Sequence, residues 1–313
     1  MYNQERKERY ISYVKNDLGT KMSVGYLETK FKNTETYETE YGKDLCDFTA
    51  YEIVDMYNRL GLRSLDTYIV MNSLLSLYTD WCLRENLVKD HINHYRAEIN
   101  ADVLNGCVNK GLINQQILTR EEVLGYCEEL ENPCDQFTIL AIFEGISGFQ
   151  YGDLLNLKMS DIRFEDGKYI ASLSSGRDIV ISSQLHSYAS LSNDSLEVDS
   201  FPKDGVRPRV LKLVENGRIL KRNTLQKIDD EEHYAKSFYV RLKKIFAYLG
   251  MPYMRGNLLY ESGRIAHIKE EATRYQMTPR EYLYSSHAKE TWELFPPEQQ
   301  VVGYLRKFGE VLG

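Results

Sequence analysis

Between Asp161 and Ile181 the sequence changes its period, and that change restricts the fold more than any other feature. Ahead of it, apolar residues recur at steps of three and four, the spacing of one helix face. Within it, Asp161-Ile-Arg-Phe, Lys168-Tyr-Ile-Ala-Ser-Leu and Arg177-Asp-Ile-Val-Ile read as short strands. They are joined at Glu165-Asp-Gly and Ser174-Ser-Gly, both turn-forming sequences. From Glu232 the helical spacing returns, through Phe238 to Leu249, and helices resume near Ser262, Pro279 and Pro297. Such a chain is mainly α, with a small antiparallel β-sheet set into a helical domain.

The helical part ahead of the strands has its own punctuation. Thr49 with Glu52 three residues on is a capping box, and Gly61 stops the helix it starts. Ser64 caps a second helix whose stripe is Tyr68, Met71, Leu75, Tyr78 and Cys82. Further helices are expected near His91–Glu98 and Asn100–Lys110, giving an all-helical bundle. A connector spans 111–118, and Thr119 with Glu122 caps the next helix. From Asp135 the run FTILAIFEGI must be buried, and Gly145 and Gly148 end it. At the N-terminus, Glu5 to Leu18 suits a helix, whereas the polar, acidic KNTETYETEYGKD reads as a linker and Ser187 to Arg209 as a loop-rich stretch.

Composition removes several classes of function. The 313 residues suffice for two ordinary domains, and no run of about 18 apolar residues suits a membrane span. The N-terminus lacks the apolar run of a signal peptide, so residence in the cytosol is expected. Five scattered cysteines form no CxxC pair and no metal spacing with histidine, so reduced thiols and no metal are expected. A net charge of −7 speaks mildly against nucleic acid unless lysines and arginines gather on one face.

Three segments, in order, resemble the tyrosine recombinase (phage integrase) family. DFTAYEIVDMYNRLGLRSLDTYIVMNSLLSLYTDWCLRENLV is similar to its helical core-binding domain. LTREEVLGYCEELENPCDQFTILAIFEGISGFQYGDLLNLKMSDI is similar to the opening of its catalytic domain, and GRIAHIKEE to the helix bearing an HxxR motif. The resemblance covers roughly residues 44–300. It implies an N-terminal arm or helix at 1–43, a helical core-binding (SAM-like) domain at 44–110, a linker at 111–118 and a catalytic-like domain at 119–313. The two domains would clamp a DNA duplex.

In that family a tyrosine hydroxyl attacks a DNA phosphate, and two arginines, a lysine and histidines stabilise the charge that develops. The resemblance places Gln150 where the first arginine stands, and glutamine supplies no charge. Arg177, in the hairpin turn, stands for the lysine but, as an arginine, is a poor proton donor. HxxR becomes Glu261-Ser-Gly-Arg264, so the arginine survives and a carboxylate replaces the histidine. His287 begins the segment in which the tyrosine should follow; Trp292 or Phe295 stands there instead, with Tyr304 a distant substitute.

The expectation is an inactive integrase-fold protein that binds double-stranded operator DNA, resembling the integrase-like repressors that keep SPβ-like Bacillus prophages in lysogeny. It implies no cofactor, and self-association or a phage regulatory protein as further partners. Two alternatives stand beside it: an active recombinase with a relocated tyrosine, and an accessory partner of a recombinase that touches no DNA. Phosphate contacts are expected from Arg264, Arg177, Gln150, His267 and Lys269, from the basic run Lys203, Arg207, Arg209, Lys221 and Arg222, and from Lys243 and Lys244. Base contacts are expected at the start of the helix capped by Ser64, from Arg63, Thr67 and Tyr68, with Tyr68 equally suited to a core.

Overall fold

The computed structural model describes the chain except residues 17–23, 63–64, 109–115, 202–207, 225–230 and 252–253. Among the described residues it has fifteen α-helices and two three-stranded antiparallel sheets. They divide into two compact units, Met1–Ile113 and Asn114–Gly313, each with a hydrophobic core of its own.

The first unit is all helical: α1 (Gln4–Asn16), α2 (Val24–Tyr41), α3 (Ala50–Leu60), α4 (Leu65–Arg84), α5 (His94–Ala97) and α6 (Ala101–Gly106). The capping box of Thr49 and Glu52 is present, and Gly61 ends α3 in the left-handed conformation, which lacks a Cβ penalty for glycine. The polar stretch read as a linker is instead the second half of α2. Its inward face carries Phe31, Thr34 and Glu38, all fully buried, so polar residues mask a core-facing stripe. The first two helices are therefore part of the bundle and not an arm. Tyr10, Phe31, Tyr78 and Trp81 meet edge-on or tilted, with Tyr10 and Phe31 each 5.1 Å from the Tyr78 ring. Beside them the ammonium of Lys7 is buried on both carboxylate oxygens of Glu38.

The second unit is built around α8 (Pro133–Phe143), whose residues from Phe137 to Phe143 are all buried. A helix apolar on every side must be surrounded. Here α7 (Arg120–Glu129), α10 (Ser183–Asp194) and α12 (Gly256–Arg274) pack on it. Thr119 and Glu122 close the expected capping box on α7. The first sheet has β1 (Ile162–Glu165), β2 (Lys168–Ser172) and β3 (Asp178–Ile181), in that order, with Arg163 opposite Ile170 and Ala171 opposite Ile179. Short α9 (Gly152–Asn156) precedes it. The stretch read as loop contains most of α10 and then β4 (Glu197–Asp199), which pairs beyond that stretch with β5 (Val210–Val214), itself paired with β6 (Arg222–Asn223), in a second sheet. The chain ends in α11 (Glu231–Tyr248), α12, α13 (Pro279–Tyr284), α14 (Ala288–Leu294) and α15 (Val301–Leu312). No helix among the described residues is long and apolar enough to cross a membrane.

Helix α12 crosses the end of α8 closely at Gly263. A Cβ on Gly263 would sit 1.7 Å from the carbonyl oxygen of Phe143. Because the obstacle is backbone, Gly263→Ala must push the two helices apart. We expect a loss of about 3 kcal/mol, the upper range for overpacking, measured by urea unfolding. A wild-type midpoint for this variant would show that the helices cross less tightly.

Candidate functional site

The residues aligned with the recombinase centre come from four places: the turn after α8, the β2–β3 hairpin, α12, and the segment from α14 to α15. The turn after α8 is bent by left-handed residues. Gly148 has φ 74°, Gln150 φ 50° and Tyr151 φ 62°. Non-glycine residues rarely adopt this conformation, and two in succession need firm anchors. Tyr151 supplies one, buried 5.0 Å from the Phe238 ring. Asp153 supplies the other. Gln150 is left exposed at the tip.

Asp153 organises the hairpin turn. Its carboxylate accepts from the hydroxyls of Ser174 and Ser175, from the Ser175 amide at 2.8 Å, and from Arg177 Nη2 at 3.1 Å. Burial opposes the charge, but these donors outweigh it and hold the carboxyl below its ordinary value. The stabilisation is thus present above the usual carboxyl pKa and fades as pH falls through the lowered one. Asp153→Asn should cost about 2 kcal/mol at neutral pH and remove the part of the acid-unfolding slope due to this group. An unchanged slope would show that Asp153 does not hold the turn.

Arg177 is tied to Asp153 and also donates to the backbone oxygens of Leu294 at 3.0 Å and Glu293 at 3.3 Å. Arg264 behaves in parallel. It is 1% exposed, and its Nη2 donates to the carbonyl oxygens of Phe295 at 2.7 Å and Pro296 at 3.3 Å. Its Nη1 donates to both oxygens of Glu261, at 2.8 and 3.1 Å. The rings of Tyr260, Trp292 and Tyr304 surround the guanidinium at 5.3 to 5.9 Å. Four successive backbone carbonyls, 293–296, therefore accept from the terminal nitrogens of two arginines that the sequence assigned to a phosphate, while Nε of Arg264 stays buried with no partner among the described residues.

Tyr304 lies in α15, and its hydroxyl is 3.3 Å from Glu261. Burial and the nearby carboxylate push its phenol well above the ordinary range. Burial likewise raises Glu261, against the opposing pull of Arg264 and Lys307. The side chain of His267 packs 5.8 Å from the Phe295 ring, with Nε2 buried and unbonded. Burial lowers its pKa, which disfavours the charged form that a phosphate would need. His287 stacks on Tyr275 at 3.9 Å.

The remaining expected contacts divide. Lys243, Lys244, Lys269 and Arg209 are exposed. Lys221 is turned inward, with its side chain 2% exposed and its ammonium on the carbonyls of Asn193 and Ser195 and the carboxylate of Glu215. Arg222 is 5% exposed, its guanidinium 4.5 Å over the Tyr234 ring. Both are corrections to a reading that took their charge for surface charge. Lysine and arginine stems bury readily when the head finds a carbonyl or a ring. Tyr68 is also corrected. It is fully buried, its hydroxyl donating to Tyr57 O and accepting from Leu62 N, so it reads no base. Thr67 is half-buried, while Arg63, Lys203 and Arg207 lie outside the described residues.

Residues 1–84 match the family described as MrpR, N-terminal core-binding domain, and residues 117–285 match MrpR, C-terminal catalytic domain. Over 162 residues the chain is 27% identical to the SPbeta prophage-derived uncharacterized protein YopR of Bacillus subtilis (strain 168). That alignment covers 52% of this chain and 47% of the relative, so the chain spans about half the length of the curated relative it matches. The first match takes in α1 and α2, and the second ends ahead of the carbonyls that hold Arg177 and Arg264. With core-binding helices followed by a helical catalytic-type domain carrying its small antiparallel sheet, the chain belongs to the MrpR family and has the phage-integrase fold.

Proposed function

We propose that this chain binds double-stranded operator DNA by sequence, as a repressor that maintains a prophage, and does not cut the DNA. The single observation that carries the reading is the occupation of Arg177 and Arg264 by the backbone carbonyls of 293–296 and by Asp153 and Glu261. A scissile phosphate needs free donors aimed at its oxygens, and removing one such donor typically costs about 10²–10³ in rate. Gln150 brings no charge to replace them. Tyr304, buried against a carboxylate, is poorly placed to become a phenolate.

Binding without cleavage needs only cations for the backbone and side chains for the groove. The exposed lysines 243 and 244 on α11, with Lys269 and Arg209, supply the first. The core-binding family of the first unit and the prophage origin of the relative support the setting. Self-association or a phage regulatory protein would modulate such a repressor in the cytoplasm, where the nucleoid holds its operators.

Purified protein is incubated with fragments of its source genome at about physiological salt, and retained fragments are sequenced. We expect a recurring motif near promoters, released intact by denaturant. Fragments that stay covalently attached would establish a recombinase instead, and no enrichment would favour the accessory-partner reading. Reversing Lys243 and Lys244 together to glutamate should weaken retention and lower the salt slope by about two. Retention equal to wild type would move the phosphate-facing surface elsewhere.

A further inference from the structure

The second unit contains a cavity of about 480 Å³ that the integrase reading does not use. It lies among β4–β6, α11 and the start of α8. Val198, Leu213, Leu220 and Phe238 form much of its apolar wall, and Arg241 and Lys244 stand on the same lining. Its size falls within the range of small-molecule sites, which are mostly apolar with a few fixed polar groups.

Charge decides what it would hold. Among the described residues of the lining the only carboxylate is Asp135, and it is already engaged. Arg241 donates Nε to one of its oxygens and Nη2 to the other, each at 2.6 Å. This clasp fixes the guanidinium and leaves Nη1 with no partner among the described residues. Lys244 is exposed and forms no ion pair with a described residue. An apolar chamber with Lys244 free of an ion pair among the described residues, and beside it a fixed guanidinium with Nη1 left over from its pair with Asp135, fits a molecule with an apolar body and an anionic head.

We propose that this cavity binds a small amphipathic anion, a medium-chain carboxylate or phosphate monoester, whose head is held by Arg241 and Lys244. Resting on the DNA-binding reading, the site would also act as a switch. Lys244 belongs to the exposed pair assigned to DNA phosphate, so an anion seated on it competes directly with the duplex. The ligand would weaken operator binding without any long-range rearrangement.

The test uses the full chain and three probes, decanoate, decyl phosphate and decanol, each titrated by calorimetry in the absence of DNA. An anionic probe should bind the wild type, and the uncharged alcohol about tenfold more weakly, the equivalent of one charge-assisted hydrogen bond. The tighter of the two anions identifies the head group. Ser237→Trp, which fills the chamber from α11, should reduce affinity at least about tenfold, and Lys244→Ala by a similar factor, both with wild-type circular dichroism. No heat with either anion, or equal affinity in wild type and both variants, overturns the site. In a second arm, the preferred anion should lower DNA retention by wild type and not by Ser237→Trp. Binding that leaves retention unchanged overturns the competition, while a wild type that retains no DNA overturns the repressor reading and leaves the calorimetric result to decide the cavity.

Discussion

Arg264→Ala is expected to lower the stability of the second unit by about 3–5 kcal/mol, the cost of breaking a buried ion pair from one side. Arg264 is the largest fully buried side chain among the described residues, and its removal strands several groups at once. Glu261 loses both its charge-assisted bonds, and the carbonyls of Phe295 and Pro296 lose their donor. Three aromatic rings are left around a void. Glu261→Gln should cost less, because its side chain is 21% exposed and water can replace part of what is lost. Urea unfolding of both variants checks the order. If Arg264→Ala keeps wild-type stability and loses only DNA affinity, the arginine is a phosphate ligand and the carbonyl clasp is incidental.

Lys7→Met is expected to be as severe in the first unit, again by about 3–5 kcal/mol. Lys7 and Glu38 are both fully buried, and Lys7 also donates to the Tyr2 carbonyl at 2.8 Å, tying the chain start to α2. Burial is the dominant influence on Glu38 and lifts its carboxyl from the usual 4.5 to about 7, even though Lys7 and the Leu45 amide pull the other way. Between those two values the folded protein holds a proton that the unfolded chain has released. The contribution of this group to stability is therefore full below about pH 4.5 and declines as pH rises to about 7. Glu38→Gln should flatten that part of the stability curve. Unfolding midpoints across the same range measure it, and an unchanged slope in the variant would mean that Glu38 ionises freely in the folded state.

The sequence showed the helices whose apolar residues make one clean stripe, the capping threonines at 49 and 119, and the three strands around Gly167 and Gly176. Two elements were hidden for physical reasons. Helix α2 turns Thr34 and Glu38 inward, so its buried face looks polar, and the partner that makes this tolerable, Lys7, lies 31 positions away. The second sheet uses strands of two to five residues, too short for alternation to register. At the site, the motif drew attention to Arg264 and Glu261, which pair in the structure, and gave the arginine a phosphate for a partner. Its actual acceptors include main-chain oxygens, which carry no residue-type signal and are brought near only by folding. Lys221 and Arg222 misled for a related reason: a charge in the sequence says nothing about whether its stem is buried against carbonyls or a ring.

The clasp on Arg264 also bears on how such a lineage can change. A mutation that restored histidine at 261 would remove one acceptor and leave the carbonyls of Phe295 and Pro296 in place, so the arginine would stay engaged. An arginine at 150 would add charge beside a centre still filled by its own main chain. Neither change alone frees the guanidinium, and the first also removes the carboxylate half of a buried pair. Freeing the guanidinium would need the main chain at 295–296 to move as well as the side chains to change. The arginine is thus locked in by backbone geometry that single side-chain substitutions leave standing.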